Sequence, residues 1–367
     1  MNTEAPKIPN VITDFTNQVD RTFRGLGRIT LFKVLTVIAN KSVIDIGEPG
    51  TGKTKSTEGV PNFPNYIDKT WNSFTFDLLN LFCEKLERIP EAGLVDENLL
   101  FRIPEVSSLS EYHRGMLFTV ISTIISDKSY THPTSYYPHL KFENCRLTCL
   151  IDVQPLLFSR IAFAKESNWA NMSRDRFVKM LTLNPLRNSS VDVSLRTKLP
   201  SYKLIREVTL PPELNLTEVH NLFAEQISAG RCDLYTYDYL KAYAGFKNQL
   251  EVTQTDVNEF YYLFKPYLKS FNVLQQTKDL TYQVVIPTGN ITVLDAIVEC
   301  GLRDVTKIEL VKKLKCSNRS VETSTNDLIQ AGIVVKSVNT NTQGQPVSYK
   351  LNNDLTEYFE EYSKTIG

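Results

Sequence analysis

The octapeptide at residues 47–54 has the residue types and spacing best suited to chemistry in this chain. It reads Gly-Glu-Pro-Gly-Thr-Gly-Lys-Thr, the pattern of a phosphate-binding loop. Its glycines let backbone N–H groups turn towards a phosphate, Lys53 can reach the outer phosphate oxygens, and the Thr54 hydroxyl can ligate Mg²⁺. We therefore predict a nucleoside triphosphate site formed by Gly47, Glu48, Pro49, Gly50, Thr51, Gly52, Lys53, Thr54 and Lys55.

The elements around this loop are the ones that such a loop requires. A short run rich in β-branched residues, Ser42 to Ile46, predicts a strand that enters the loop, and a helix is expected to follow it. A chance glycine-rich turn would lack this context. Strand, loop and helix together therefore favour a phosphate-binding role.

A second predicted strand, residues 98–106, ends near the carboxylate of Glu105. An acid at that place would orient the water that attacks the terminal phosphate. We predict that Glu105 is the catalytic carboxylate and that it ligates the metal ion together with Thr54. Because Pro104 stands where a second acid is usual, the alternative interpretation is an acid at the start of a helix.

A third predicted strand, residues 146–155, carries one acid inside it and one amide at its tip. Asp152, the internal acid, is the alternative candidate for the catalytic carboxylate. Gln154 stands at the end of the strand, immediately before a proline. A polar amide at such a tip can contact the γ-phosphate, so we predict Gln154 as the phosphate sensor.

The order of these elements resembles that of the AAA+ ATPases, in particular their MoxR and minichromosome-maintenance branches. Residues 99–105 look like the strand of the catalytic carboxylate, residues 130–142 like a hairpin or loop before the sensor strand, and residues 149–155 like the sensor strand. The resemblance extends over about residues 25–270. It implies ATP and Mg²⁺ as cofactors and ATP hydrolysis as the activity.

The resemblance also implies roles for four arginines. Residues 158–160 and 173–177 resemble the region that carries an arginine finger, and residues 230–245 resemble a helical lid that carries a second sensor. The candidates are Arg160, Arg174 and Arg176 for the finger and Arg231 for the sensor. An ion pair on the surface is the alternative for each finger candidate. A finger acts on the nucleotide of a neighbouring subunit, which implies a homo-oligomer such as a hexameric ring.

Two features depart from that family. The aspartate that usually precedes the catalytic carboxylate is missing, which affects the expected metal binding and hydrolysis rate. Residues 56–96 show no clear second strand, so we expect an insertion there.

The last part of the chain predicts three helices and a β-hairpin. The helices are expected at residues 291–300, 307–314 and 319–331, and the hairpin at 333–351. This order resembles a winged helix-turn-helix domain, in which the third helix would read duplex DNA. The predicted DNA contacts are Lys312, Lys313, Lys315, Asn318, Arg319, Ser320, Thr323 and Lys336.

The charges of the chain are balanced overall but not locally. There are 41 basic and 41 acidic residues among 367, which excludes a uniformly basic protein. Five basic residues nevertheless lie between Lys307 and Arg319, against the single acid Glu309. Such a face would bind DNA phosphates. The alternative is a winged helix that contacts a protein.

Composition and hydropathy favour a folded, water-soluble chain. Hydrophobic residues make up 42% and charged residues 22%. The most apolar window, residues 115–125, is well short of the ~20 residues that span a bilayer. Residues 1–24 lack the pattern of a secretory leader, and the six cysteines contain no CxxC pair. We expect a cytoplasmic protein with free thiols and no membrane partner.

The expected fold class is an α/β P-loop AAA+ core with a helical lid, followed by a winged helix domain. We place the core at residues 1–210, the lid at 211–288 and the winged helix-turn-helix domain at 289–367.

The expected function is a DNA-associated ATPase that couples ATP binding and hydrolysis to DNA remodelling or replication, as an initiator, helicase or loader. Two alternatives stay open. One is a MoxR-like ATPase that remodels a protein partner. The other is a DNA-binding regulator that binds ATP and hydrolyses it poorly.

Overall fold

A computed structural model describes the greater part of the chain. The described residues are 6–47, 50–64, 66–70, 98–104, 106, 111–128, 130–131, 141–142, 146–155, 157–158, 176–183, 197–276, 288–300, 303–330, 332–338, 347–353, 355–356 and 359.

Helices and strands alternate in the first half of the chain, and helices dominate the second half. In chain order the elements are α1 (Asn10–Thr22), α2 (Gly27–Ile38), β1 (Ser42–Ile46), α3 (Lys53–Glu58), β2 (Tyr66–Thr70), β3 (Asn98–Ile103), α4 (Glu111–Asp127), β4 (Tyr130–Thr131), β5 (Lys141–Phe142), β6 (Arg146–Val153), β7 (Phe177–Leu181), α5 (Thr217–Ala224), α6 (Ala229–Phe246), α7 (Gln254–Gln276), α8 (Thr288–Glu299), β8 (Val305–Thr306), α9 (Lys307–Leu314), α10 (Asn318–Gln330), β9 (Val334–Val338) and β10 (Val347–Leu351).

Five parallel strands form the central sheet in the order β2-β3-β6-β1-β7. Every residue of β1 and of β7 is buried, as expected for parallel strands covered on both faces. The strand that leads into the phosphate-binding loop is thus flanked by β6 on one side and β7 on the other. Since all strands run the same way, their carboxyl ends meet at one edge, where the loop begins.

Strand β2 corrects one expectation from the sequence. We expected an insertion without a second strand at residues 56–96, yet Tyr66–Thr70 pairs in parallel with β3. Its sequence, Tyr-Ile-Asp-Lys-Thr, is mixed in polarity because it lies at the edge of the sheet. Residues 71–97 lie outside the described part. Within the hairpin or loop expected at residues 130–142, β4 and β5 form an antiparallel pair, and residues 132–140 lie outside the described part.

Helices α6 and α7 pack against α2, α5 packs against α6 and α7, and α7 covers the outer edge of β7. The ring of Phe32 stacks on that of Tyr239 at 5.2 Å, and the Tyr239 hydroxyl lies 3.0 Å from that of Thr36. Backbone N–H groups of β7 donate to the side chains of Gln226, at 2.7 Å, and of Ser270, at 3.3 Å. These contacts satisfy donors on the outer edge of a strand that would otherwise recruit another chain.

The C-terminal elements form a small unit of three helices and a three-stranded antiparallel sheet in the order β8-β10-β9. The Thr306 hydroxyl accepts from the N–H of Glu309, whose carboxylate accepts from the N–H of Thr306, so α9 begins with a capping box. Strand β8 has only two residues and was not predicted. The tip expected in the hairpin, residues 339–345, lies outside the described part.

A buried cluster of charge joins α2 to the sheet and to the helix that follows the loop. The Lys33 ammonium lies 2.6 Å from Asp45 Oδ2 on β1 and 3.2 Å from Asp152 Oδ1 on β6, and all three side chains have no exposed surface. The ammonium also donates to three oxygen atoms of α3. These are the Lys53 carbonyl oxygen at 3.2 Å, Ser56 Oγ at 2.6 Å and Thr57 Oγ1 at 2.8 Å. One side chain therefore fixes α3 to the two strands behind it.

The cluster holds two carboxylates but one ammonium, so the charge of one carboxylate is not compensated. Burial raises the pKa of Asp152 from 3.8 to about 6, with Asp45 adding to the rise and Lys33 opposing it. A carboxyl group whose pKa is higher in the folded state stabilises the fold at acid pH, and this contribution is lost as the pH rises through about 6.

We therefore expect Asp152→Asn, which carries a neutral amide at every pH, to gain stability relative to the wild type as the pH rises. Between pH 5 and pH 7.5 the difference between the two free energies of unfolding should change by about 1 kcal/mol in favour of the variant. Denaturant unfolding at both pH values measures it. A constant difference, or one of opposite sign, would contradict the raised pKa.

Candidate nucleotide and nucleic-acid sites

The loop between β1 and α3 has a backbone that only glycine adopts easily. Gly50 and Gly52 have φ angles of +84° and +96°. At Gly47 an added Cβ would lie 2.7 Å from the Thr182 carbonyl oxygen and 3.1 Å from Cδ of Lys53. The stem of Lys53 thus runs beside the first glycine of the loop. Glu48 and Pro49, which belong to the predicted site, lie outside the described residues.

The start of the loop is anchored on both neighbouring strands. The N–H of Gly47 donates to the Val153 carbonyl at 3.1 Å, and the N–H of Thr182 donates to the Ile46 carbonyl at 2.7 Å. Gly47 therefore leaves the sheet between the ends of β6 and β7. This places Gln154, the residue after Val153, at the edge of the sheet beside the loop.

The far end of α3 is held by Arg102, a buried residue of β3. Its guanidinium donates to the carbonyls of Thr57 at 2.5 Å, Val60 at 2.8 Å and Pro61 at 3.2 Å. The same group binds both carboxylate oxygens of Asp68 on β2, at 2.9 and 2.6 Å. These bonds give strong donors to carbonyls at the end of α3 and in the turn that follows it.

Sequence reasoning missed the residues that hold α3, namely Lys33, Asp45, Arg102 and Asp68. A signal was present, because Lys33 and Asp45 interrupt the apolar runs of α2 and β1. Charged residues inside such runs are rarely buried unless they are paired. The partners themselves could not be read from the sequence.

The hydroxyl of Thr54 points to the end of β3. It donates to the carbonyl of Pro104 at 3.3 Å. Pro104 immediately precedes Glu105, which itself lies outside the described residues. Thr54, the predicted metal ligand, therefore contacts the residue that precedes the predicted catalytic acid, Glu105.

Asp152 occupies a different place from Gln154. Its carboxylate has no exposed surface and accepts from the Thr57 hydroxyl at 3.0 and 3.1 Å, behind α3. Both carboxylate oxygens are therefore engaged inside the core, away from the edge where the loop opens. A water molecule that attacks a bound nucleotide would need a carboxylate at that edge.

Two of the four candidate arginines lie at the opposite edge of the sheet. Arg176 and Arg231 line a cavity of about 610 Å³ together with Lys41, Ser42 and Arg146, which stand at the amino ends of β1 and β6. Arg231 lies on α6, which packs beside the start of β1, and its role as a sensor stays a prediction. The other two candidates, Arg160 and Arg174, lie outside the described residues.

The remaining loop residue, Lys55, turns towards the surface. Its ammonium lies 2.6 Å from the carboxylate of Glu58 on the same helix, and both side chains are exposed. The place of Lys55 in the nucleotide site stays a prediction, and its ammonium forms an ion pair within α3.

The eight predicted DNA contacts are all exposed. They lie on the end of α9, the turn after it, the start of α10 and strand β9. Lys313 lies 3.2 Å from the carboxylate of Glu299. Within the described residues, Lys312, Lys315 and Arg319 form no ion pair with any acid. This face thus carries cations whose charge is not neutralised by neighbouring acids.

Metal clusters and membrane spans are absent from the described part of the chain. It contains no group of three or more His, Cys, Asp or Glu residues arranged to hold a metal ion. Among its helices, none is long and apolar enough to cross a membrane. Its thiols, Cys149, Cys232, Cys300 and Cys316, are free.

Comparisons with known proteins give only remote likenesses. No family model and no curated protein matches the chain. Among solved structures, the Aeropyrum pernix Orc1 protein in complex with DNA is similar at 16% identity and a TM-score of 0.27, over 92% of this chain and 91% of that one.

Two other solved structures are also similar to this chain. One is a STAND signal-transduction ATPase with a tetratricopeptide repeat sensor from Pyrococcus horikoshii, at 12% identity and a TM-score of 0.20, over 91% of this chain and 42% of that one. The other is the apo C-terminal region of NrS-1, at 10% identity and a TM-score of 0.24, over 95% of this chain and 76% of that one. Likenesses this remote carry no functional argument, so the residues and their geometry have to carry it.

Proposed function

We propose that the protein is a DNA-associated ATPase of the AAA+ type. The observation that carries this proposal is the phosphate-binding loop, whose Thr54 hydroxyl contacts the carbonyl of Pro104 at the end of β3. A nucleotide phosphate, a magnesium ion and a catalytic acid must meet at one place for hydrolysis. The contact between Thr54 and Pro104, the residue before Glu105, supports such a meeting at the carboxyl edge of this sheet.

Each residue at this edge has a distinct role in the proposal. Lys53 neutralises the β and γ oxygens of ATP, and the Thr54 hydroxyl ligates Mg²⁺. Glu105 orients the attacking water and assists Thr54 in holding the metal ion. Gln154, which follows the strand next to the loop, contacts the γ-phosphate through its amide. The metal ion would supply the electrostatic stabilisation of the transferred phosphate.

Glu105 is proposed over Asp152 because of where each carboxylate can act. Asp152 is bound to Lys33 and Thr57 in the core, and its ionised form is disfavoured by burial. Glu105 follows the residue that Thr54 contacts. The carboxylate that serves hydrolysis has to reach the open edge of the sheet, and the position of Glu105 in the chain meets that requirement.

The C-terminal unit is proposed to be a winged helix domain that binds duplex DNA. Its order of helix, strand, two helices and two strands places α10 after a short turn from α9. That arrangement would present α10 to a groove, while the unpaired cations near its start bind phosphates. Assembly into a homo-oligomeric ring, with Arg160, Arg174 or Arg176 acting on a neighbour's nucleotide, would join several such units.

Removal of the loop lysine should abolish nucleotide binding. We expect Lys53→Ala to weaken ATP binding at least about 30-fold, because several charge-assisted hydrogen bonds to phosphate are lost together. Lys55→Ala is the matched control, since its ammonium pairs with Glu58 and its loss should change the affinity little. Isothermal titration calorimetry measures both. Equal losses in the two variants would remove the basis for the assignment of Lys53.

Removal of the catalytic carboxylate should separate binding from hydrolysis. We expect Glu105→Gln to lower ATP turnover at least about 100-fold with little change in ATP affinity, because the amide cannot activate water. Asp152→Asn serves as the comparison and should keep most of the turnover. Phosphate release by the folded variants distinguishes them. If the larger loss occurred in Asp152→Asn, the catalytic role would pass to that residue.

The C-terminal face should account for salt-dependent binding to duplex DNA. We expect Lys312→Gln combined with Lys315→Gln to lower the slope of log affinity against log salt by ~0.9 for each lost phosphate contact. The control combines Arg303→Gln with Lys307→Gln, two cations already paired with Glu309 and Glu322. Fluorescence anisotropy with a labelled duplex gives the slopes. Unchanged slopes in the first variant would exclude this face as the DNA contact.

A further inference from the structure

The proposed ATPase chemistry does not use the cavity at the amino edge of the sheet, apart from the finger candidate Arg176 and the sensor candidate Arg231 in its lining. The cavity has a volume of about 610 Å³ and lies at the starts of β1, β6 and β7. The phosphate-binding loop leaves the sheet from the carboxyl end of β1. The two features are therefore at opposite edges of the same sheet, and a ligand in the cavity would be separate from a nucleotide in the loop.

The charge of the cavity lining is almost entirely of one sign. Its basic residues are Lys128, Arg146, Arg176, Arg206, Arg231 and Lys241, with Lys41 as a seventh. Among the described residues of the lining, the single acid is Asp238, which lies 2.6 Å from the Lys41 ammonium. Seven cations thus face one carboxylate, in a chain whose basic and acidic residues balance at 41 each. Cations gathered in a concave site focus a positive potential that attracts anions.

The side chains in the cavity suit phosphate groups and not bases. Four of the seven cations are arginines, whose planar guanidinium groups bind phosphate oxygens in pairs. The aromatic ring in the lining, that of Tyr235, is already occupied, since the Lys41 ammonium lies 4.8 Å from its centroid. The Tyr235 hydroxyl donates to the Arg176 carbonyl at 2.7 Å. This ring is not available for stacking, so recognition would rest on charge.

Several elements contribute to the cavity, which makes it a formed site. Lys128 follows the end of α4, Arg146 begins β6, Arg206 lies on the short helix Ile205–Glu207, and Arg231 and Lys241 lie on α6. The Arg176 guanidinium is positioned by a hydrogen bond to the Ser122 carbonyl on α4, at 3.0 Å. The volume falls in the range of ~300–1,000 Å³ that is usual for small-ligand sites.

We propose that this cavity is a second anion-binding site and that it binds closely spaced phosphate groups. Two sources present that chemistry: a free polyphosphate group and the phosphodiester backbone of a nucleic-acid strand. The proposal does not depend on the function proposed above, because it needs neither ATP hydrolysis nor the C-terminal unit.

The test uses the full chain carrying Lys53→Ala, so that the phosphate-binding loop contributes little. The probes are inorganic triphosphate, measured by calorimetry, and a labelled single-stranded oligothymidylate, measured by anisotropy. The test variant adds Lys128→Asn and Arg146→Gln, both at exposed positions. Asparagine is chosen because residue 128 has a φ of +54°, which asparagine tolerates. The matched control adds Arg21→Gln and Lys198→Gln, two exposed cations outside the cavity.

We expect the test variant to bind at least one probe about tenfold more weakly than its parent, while the control stays within about twofold. Loss confined to triphosphate identifies a small phosphorylated ligand. Loss of oligothymidylate binding, with a salt slope lower by about 1.4, identifies a nucleic-acid strand. The proposal is overturned if neither probe is affected, or if the control loses as much.

Two additions keep the test decisive if the double substitution perturbs the fold. Arg146→Lys keeps the charge and should retain binding to within a few-fold of the parent. Arg206→Gln alone, on a different element of the lining, should weaken the same probe. Thermal melts of every variant confirm that the folded chain is being compared, and a folded Arg206→Gln variant with unchanged affinity for both probes contradicts the proposal.

Discussion

The structure depends on one buried ammonium group, that of Lys33. Taking an ammonium and two carboxylates out of water costs several kcal/mol for each ion, and only close contacts and additional hydrogen bonds offset that cost. Here the ammonium meets Asp45 at 2.6 Å and Asp152 at 3.2 Å and also binds three oxygens of α3. Arg102 satisfies the other end of the same helix. The short helix after the loop is therefore held at both ends by buried cations, which fixes the position of Lys53 and Thr54.

The parallel sheet separates two regions of positive charge. At the carboxyl edge, Lys53 lies beside the glycines of the loop and is proposed to bind the phosphates of a nucleotide. At the amino edge, the cations around Arg146 and Arg231 form a broader concave surface. Among the helices α5 to α7, α6 contributes residues to the second region, as far as the described residues show.

Local features of the site were predictable from the sequence, and contacts between distant segments were not. The glycine spacing of residues 47–54 predicts the loop because φ angles of +84° and +96° are a local property of the chain. The cap at Thr306 is equally local. Lys33 and Asp152 are 119 residues apart, so their pairing follows only from the tertiary fold. The position of Arg231 at the amino edge likewise follows only from the tertiary fold, through the packing of Tyr239 on Phe32. The edge strand β2 was missed because its pattern is mixed in polarity.

The central claim is that the buried cluster of Lys33, Asp45 and Asp152 holds the phosphate-binding loop in its binding geometry. The most direct measurement is thermal unfolding of the wild type, Lys33→Met and Lys55→Met, each with and without ATP and Mg²⁺. We expect Lys33→Met to lose about 3–5 kcal/mol of stability, because two buried carboxylates are left without their cation. It should also lose most of the stabilisation by ATP, which for the wild type is about 2.7 kcal/mol at a hundredfold excess over the dissociation constant. Lys55→Met, whose ion pair is exposed, should resemble the wild type in both respects. A Lys33→Met protein as stable as the wild type and equally stabilised by ATP would contradict the claim.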